Sequence, residues 1–339
     1  MAIAAGIHDV RVVYGYLRAP KDSIDTASMN PNKNDNDDDV TLVQNHAWCC
    51  VKVEGEYRFV DCWLASPFQP QNKNMMESHW FLTKPSDMIY THFPQEPEDQ
   101  CLEPVIHVST FFALPYVWAP FFSHHLKMIR YDPAMLTLMD DQVCHLTFRV
   151  DPQVICFAFV ETSEEEEQQK SITIRCLAQC RMIPGENGEL ERVYKIKAVL
   201  PPGHNQGWLK IYAVISESLP PLALCFPLTA KQTQPQLDRS FEFVQLHPCR
   251  YEFYIQEPQC YSLYPLQTYN FLVRGAADDL HHKLAIRSPS GKLYKLMYYP
   301  QERSYDGSVK IVETGKWCLI CLLHHASGWY VVATWECHG

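Results

Sequence analysis

The 339-residue sequence is short of glycine, with 13, and short of positive charge, with 29 lysines and arginines against 39 acids and a formal net charge of −10. That balance excludes a global basic field for nucleic acid and any general attraction to anionic membranes. Apolar runs of about 18 residues are absent, so no transmembrane helix is expected. The opening residues Met1 to Gly6 have neither a basic n-region nor a full apolar h-region, so no secretory signal is expected. Glycine-rich phosphate loops, a zincin helix motif and a nucleophile elbow are missing too. Nucleotide, zinc-peptidase and serine-hydrolase readings therefore have no support.

What is present describes a globular chain: 47% apolar and 20% charged residues. The 24 prolines cut helices short and favour loops and edge strands. The 14 cysteines sit in a chain long enough to build a core without staples. Without a secretion signal they read as reduced thiols of a cytoplasmic protein. The length suggests two or three domains.

Composition changes along the chain. Residues 1–120 are mixed and rich in His, Trp and Pro, and Met29 to Asp39 reads as a polar surface loop. Residues 121–235 carry short alternating runs, such as Val143 to Val150 and Trp208 to Ile215, separated by turn signals such as Pro201-Pro202-Gly203. That pattern predicts an antiparallel sandwich. The acidic run Glu164 to Glu167 reads as a solvated loop between strands, and Lys231 to Gln236 as a linker. Residues 236–339 carry about seven candidate strands, which fits an immunoglobulin-like sandwich.

The informative stretch is Asn45 to Trp63. Val51 and Val53 alternate with polar residues, Glu54-Gly55-Glu56 turns the chain, and Tyr57, Phe59 and Val60 run back. His46 enters the first strand and Asp61 leaves the second, so antiparallel pairing sets an imidazole beside a carboxylate. A carboxylate there fixes the ring's tautomer and holds its proton, which is two-thirds of a nucleophile–base–orienter system. The same spacing also fits a half-buried hydrogen bond that closes a hairpin.

The stretch His46-Ala47-Trp48 to Asp61-Cys62-Trp63 resembles the His–Asp hairpin of the transglutaminase-like superfamily. Ala5-Gly6-Ile7 with Gly15-Tyr16, and the phrases Phe81-Leu82-Thr83-Lys84-Pro85 and His92-Phe93-Pro94, resemble the kyphoscoliosis peptidase group and its relative hillarin. Arg250 to Leu263 is similar to the last module of that group. The resemblance implies an α+β fold: a partial papain-like, transglutaminase-like core in residues 1–120, then two antiparallel β-sandwich (Ig-like) modules at 121–235 and 236–339. It implies His46 as catalytic base and Asp61 as its orienter in a cysteine peptidase-type enzyme. The family nucleophile is a helix-leading cysteine upstream of the Ala-Gly-Ile segment, a position that none of the 14 cysteines occupies. This chain is therefore expected to be inactive by itself, and the alternative is a non-catalytic cytoskeletal or sarcomeric scaffold binding through its β modules. Filamin-type actin cross-linkers are the partners the resemblance implies.

Other cysteines are poor substitutes. Cys50 shares a strand face with His46 but lies four residues away, and Cys49 and Cys62 face elsewhere. Cys318-x-x-Cys321 falls in a buried-strand pattern where residues three apart face opposite sides, which opposes a zinc half-site. No cofactor and no metal are expected, and His124-His125 and His281-His282 read as surface pairs.

Overall fold

The computed structural model describes residues 9–18, 44–68, 76–130, 137–139, 143–162, 175–185, 188–215, 222–231, 241–247, 252–275, 282–322 and 328–339. The runs Met29 to Asp39, Glu164 to Glu167 and 232–236 lie outside the described residues. Chain contacts divide the protein into two compact units, Met1–His125 with Pro220–Phe226, and Leu126–Leu219 with Pro227–Gly339.

The first unit contains β1 (Val10–Leu17), β2 (His46–Val53), β3 (Glu56–Val60), β4 (Phe81–Thr83), α1 (Pro85–Met88), β5 (His92–Pro94), α2 (Val108–Ala113), β6 (Tyr116–Val117) and α3 (Ala119–Ser123). Five strands pair in the order β4-β3-β2-β1-β5, every pairing antiparallel. The β2–β3 turn is Glu54-Gly55, with φ of 53° and 86°. Positive φ at both central residues gives the turn whose twist matches the strands. One face of the sheet is buried through Val13, Leu17, Trp48, Cys50 and Phe59, joined by Leu64, Trp80 and Met88. Alternation then turns Val12 and Tyr14 outward, each about half exposed.

The papain-like α+β core expected of residues 1–120 is not what the chain forms. Among the described residues the structure is nearly all β, with 55% strand against 9% helix. The three α-helices among them have four, six and five residues. The physical reason lies in the residues themselves. Pro85 and Pro120 each start a helix that ends after about one turn, and Pro94, Pro97 and Pro115 interrupt the rest. The β-branched and aromatic residues between them alternate with period two and go into strands.

The next strands are β7 (Lys127–Arg130), β8 (Thr137–Met139), β9 (Cys144–Arg149), β10 (Ile155–Glu161), β11 (Cys176–Pro184), β12 (Leu190–Ala198), β13 (Gln206–Val214) and β14 (Leu222–Lys231), of which β14 belongs to the first unit up to Phe226 and the rest to the second. One sheet runs β11-β12-β9-β7, and β10-β13-β14 form another. In β9, Cys144, Leu146 and Phe148 are buried and alternate with more exposed residues, the pattern of a one-faced strand.

Then follow β15 (Gln245–Leu246), β16 (Tyr254–Glu257), β17 (Ser262–Leu263), β18 (Thr268–Arg274), β19 (Lys283–Arg287), β20 (Leu293–Lys295), β21 (Met297–Tyr299), β22 (Ser304–Lys310), β23 (Gly315–Leu322) and β24 (Trp329–Cys337). They form two sheets, β15-β24-β23-β19-β20 and β16-β18-β22-β21. Phe271, Val273 and Tyr305 from one sheet and Trp317, Leu319 and Trp335 from the other share a single core. That is a two-sheet sandwich. Within this unit the sheets of β7–β14 and those of β15–β24 are joined by specific bonds. The buried Gln179 side chain accepts from the Ile255 N–H at 2.8 Å and donates to the Ile255 C=O at 3.1 Å, imitating a strand neighbour. Leu177 and Val199 enter the core of the last module.

Candidate functional site

The β2–β3 hairpin brings His46 and Asp61 together as the spacing requires. His46 opens β2 and Asp61 follows β3, with His46 Nε2 at 2.7 Å from Asp61 Oδ2. The backbone beyond the hairpin holds the carboxylate still. Asp61 Oδ1 accepts from the N–H groups of Trp63 at 2.8 Å and Leu64 at 3.0 Å, capping the turn that follows. Asp61 is 1% exposed.

A third residue completes the cluster. His92, at the start of β5, places Nε2 at 2.9 Å from the same oxygen, Asp61 Oδ2. In the sequence His92 was legible only as part of the phrase His92-Phe93-Pro94, with no role attached. It reaches Asp61 because β1 between them is thin at Gly15. A Cβ there would stand 2.2 Å from the Phe93 oxygen and 2.7 Å from the Trp48 ring, and Gly15 is the register partner of both His46 and Pro94. Asn45 holds the neighbouring strand end, its side chain accepting from Leu17 N–H at 2.7 Å and donating to Leu17 C=O at 3.1 Å.

Aromatic rings wall the cluster. His46 stacks near Trp48 at 6.2 Å and meets Trp63 edge-on at 5.7 Å. His92 lies between Trp48 at 4.8 Å and Trp80 at 5.6 Å. Burial by itself pushes the Asp61 carboxyl up, but the hydrogen bonds from His46 and His92 and the Leu64 N–H outweigh it and hold it well below the usual range. Burial lowers His92, against the opposing pull of Asp61. Its ring is then neutral, and the donor count settles its tautomer. Nε2–H donates to Asp61, and Nδ1 accepts from the Thr91 hydroxyl at 2.8 Å. Nearby His79, stacked on Phe122 at 4.2 Å, is lowered to about 4 by burial and by His92.

Chemically, a carboxylate that accepts a hydrogen bond from His46 Nε2–H leaves Nδ1 with the lone pair, the form of a general base. No cysteine sulfur among the described residues joins the cluster. Cys50 turns instead to Cys101, with the sulfurs 4.0 Å apart, and burial and Cys101 push its thiol up to about 12. Cys49 is raised by burial, then by Cys62 and Asp61. The His46, Asp61 and His92 ligand atoms lie within 4.8 Å of one another, a donor set that suits a divalent ion. Both imidazole N–H groups are already spent on Asp61, so the hydrogen bonds account for the arrangement without one. In the last module Cys318 and Cys321 fall in different clusters on opposite faces of β23. His282, expected at the surface, is buried, and its N–H donates to the Tyr305 hydroxyl at 3.0 Å. His281 lies outside the described residues.

Comparison with known proteins adds three relatives and one family model. Residues 246–337 match the model of the CYK3 C-terminal Ig-like domain. The chain is 30% identical over 330 residues to cytokinesis protein 3 of Saccharomyces cerevisiae, covering 86% of this chain and 36% of that protein. It is 28% identical over 350 residues to cytokinesis protein 3 of Schizosaccharomyces pombe, covering 96% and 37%. It is 32% identical over 110 residues to hillarin of Drosophila melanogaster, covering 28% and 13%. The chain thus spans little more than a third of the two yeast relatives and is similar to cytokinesis proteins over most of its own length.

Proposed function

We propose that this chain is a protein-binding scaffold of the cytoskeletal machinery that divides cells. In this reading residues 1–120, 121–235 and 236–339 act as successive modules, and the His46–Asp61 hairpin is transglutaminase-like in descent and catalytically silent in this chain. One observation carries it. His46 and Asp61 are positioned as a base and its orienter, yet the cluster's third member is His92 rather than a thiol. An acyl transfer needs a nucleophile at hydrogen-bond reach of the base. The similarity to two cytokinesis proteins supports the cellular setting, and the β modules supply strand edges suited to protein partners. Filamin-type cross-linkers belong among the partners to test.

The reading is tested with a fluorescent fusion of the full chain in dividing yeast and with the purified chain. The fusion concentrates at the division site during furrow ingression. The purified chain neither cleaves casein nor joins an amine donor to it in an iodoacetamide-sensitive way. A diffuse fusion, or thiol-dependent turnover, overturns the proposal.

A further inference from the structure

The second unit holds a cavity of about 280 Å³ where β11 and β12 meet β16 and β18, lined by Arg181, Arg192, Arg274, Arg303, Glu252 and Glu302 among others. Four arginines against two glutamates make a positive spot on a chain whose net charge is −10. The arginines differ in how far they are committed. Arg192 is spent on the protein. Its guanidinium grips both oxygens of Glu252, and Nη1 donates to the carbonyls of Asp151 at 3.0 Å and Val154 at 2.6 Å. Glu252 is thereby neutralised, and it also accepts from the Tyr194 hydroxyl at 3.0 Å.

Arg181 and Arg274 are left over. Tyr254 brings them together: Arg274 is its register partner on β18, and the Arg181 guanidinium lies 5.3 Å from the centre of its ring. Arg181 Nε is buried and donates to no acceptor among the described residues. Arg274 is oriented by Gln256 Oε1, 3.0 Å from its Nε, and by the Glu302 carbonyl, 3.3 Å from Nη1. Its Nη2 has no protein acceptor among the described residues. A fixed guanidinium with an open side, next to a second guanidinium that lines the same cavity, is an arrangement that an anion with several oxygens completes.

We propose that this cavity binds a phosphoryl group, carried on the phosphorylated serine or threonine side chain of a protein partner. A phosphoryl group offers three acceptor oxygens and close to two negative charges, which suits two guanidinium forks better than a single carboxylate does. The volume is enough for one phosphorylated side chain. Tyr254 and Met182 give the cavity an apolar wall for the methylene of such a side chain. The choice of a peptide as carrier rests on the protein-binding reading above, whereas the phosphoryl site rests on the cavity alone.

The test uses the full chain, two immobilised degenerate peptide libraries with a fixed central phosphoserine or serine, and inorganic phosphate observed by phosphorus NMR. The phosphoserine library retains the chain about tenfold better than the serine library, the worth of charge-assisted hydrogen bonds. Arg181→Gln and Arg274→Gln each abolish that preference while melting as the parent does, and Arg181→Lys keeps part of it. Equal retention by the two libraries, or a preference unchanged in both glutamine variants, overturns the proposal. A phosphate signal that broadens with the parent, without library retention, overturns the peptide carrier; no broadening as well overturns the site. A diffuse fusion in dividing cells would sink the scaffold reading without altering any of these results.

Discussion

His46 and His92 donate to one oxygen, Asp61 Oδ2, from strands that are not neighbours, at 2.7 Å and 2.9 Å. Strand β1 lies between them. The carboxylate is therefore the tie between the hairpin and the far edge of the sheet. Asp61→Ala leaves two imidazole N–H groups without an acceptor beside a buried space. It is expected to cost about 1–3 kcal/mol for each buried donor left unmet. Urea unfolding at pH 7.5 measures it. Asp61→Asn keeps one acceptor and should cost less: with its oxygen on the Trp63 and Leu64 N–H groups, its NH2 faces both rings and each must take its other tautomer. A loss below about 1 kcal/mol for the alanine variant would mean the tie carries no load.

His79 gives the first unit a pH dependence with a definite sign. Its folded value, about 4, lies below the ordinary histidine value near 6.5. The unfolded chain binds the proton first as pH falls through about 6.5, so stability is full above that value and declines until about 4. The loss is at most about 3 kcal/mol. The lowered Asp61 contributes in a more acidic window, where stability is lost as pH falls towards its folded value. His79→Phe keeps the stacking on Phe122 and removes a buried Nε2 that has no partner among the described residues. Unfolding curves of this variant at pH 7.5, 5.5 and 4.5 should lie closer together than those of the parent. Equal pH dependence in the two proteins would rule out His79 as the cause.

Gly15 is required for its missing Cβ rather than for its backbone angle. Gly15→Ala sets a methyl group against Phe93 O and the Trp48 ring. Overpacking of this kind costs about 1–3 kcal/mol. The strain falls on the β1–β5 pairing, so the Arg18 N–H, bonded to Thr91 O at 2.8 Å, should exchange faster while the β2–β3 hairpin keeps its protection. Uniform loss of protection would show instead that the unit unfolds as one.

Thiol chemistry should follow burial. Burial pushes Cys144 and Cys156 up to about 12, as it does Cys50 together with Cys101. Cys62 is exposed. Brief iodoacetamide treatment at pH 7.5 should label Cys62 first and leave those three unmodified until the chain is denatured, as read by peptide mass. Early labelling of Cys50 would point to an activated thiol beside the histidine cluster and would revive an enzymatic reading.

Gln179 tests the joint between the two β modules of the second unit. Gln179→Leu removes the acceptor of Ile255 N–H, while Ile255 C=O keeps its second donor, Gln259 Nε2 at 2.8 Å. One unmet buried backbone N–H costs about 1–3 kcal/mol. Calorimetry should show a single transition of this unit broadening or splitting in the variant. A simple downward shift without broadening would mean the modules stay coupled through Leu177 and Val199.

Some of this protein was determined by its sequence alone. Turn chemistry at Glu54-Gly55 and period-two alternation are local, so the β2–β3 hairpin and the His46–Asp61 contact across 15 residues could be read directly. The strands of the last module were legible for the same reason, and its cysteines 318 and 321 fall on opposite faces as alternation requires. The α+β expectation came from a resemblance of motifs, and the structure overturns it: helices that begin at Pro85 and Pro120 end after about one turn. Tertiary structure alone decided the rest. His92 lies 31 residues from Asp61 and joins it only because a glycine lets β5 close against β1. Arg181 and Arg274 meet only where two modules pack through Tyr254. Local patterns set which face a residue takes. Which faces meet depends on register and packing between strands distant in the chain, and no window of the sequence contains both partners.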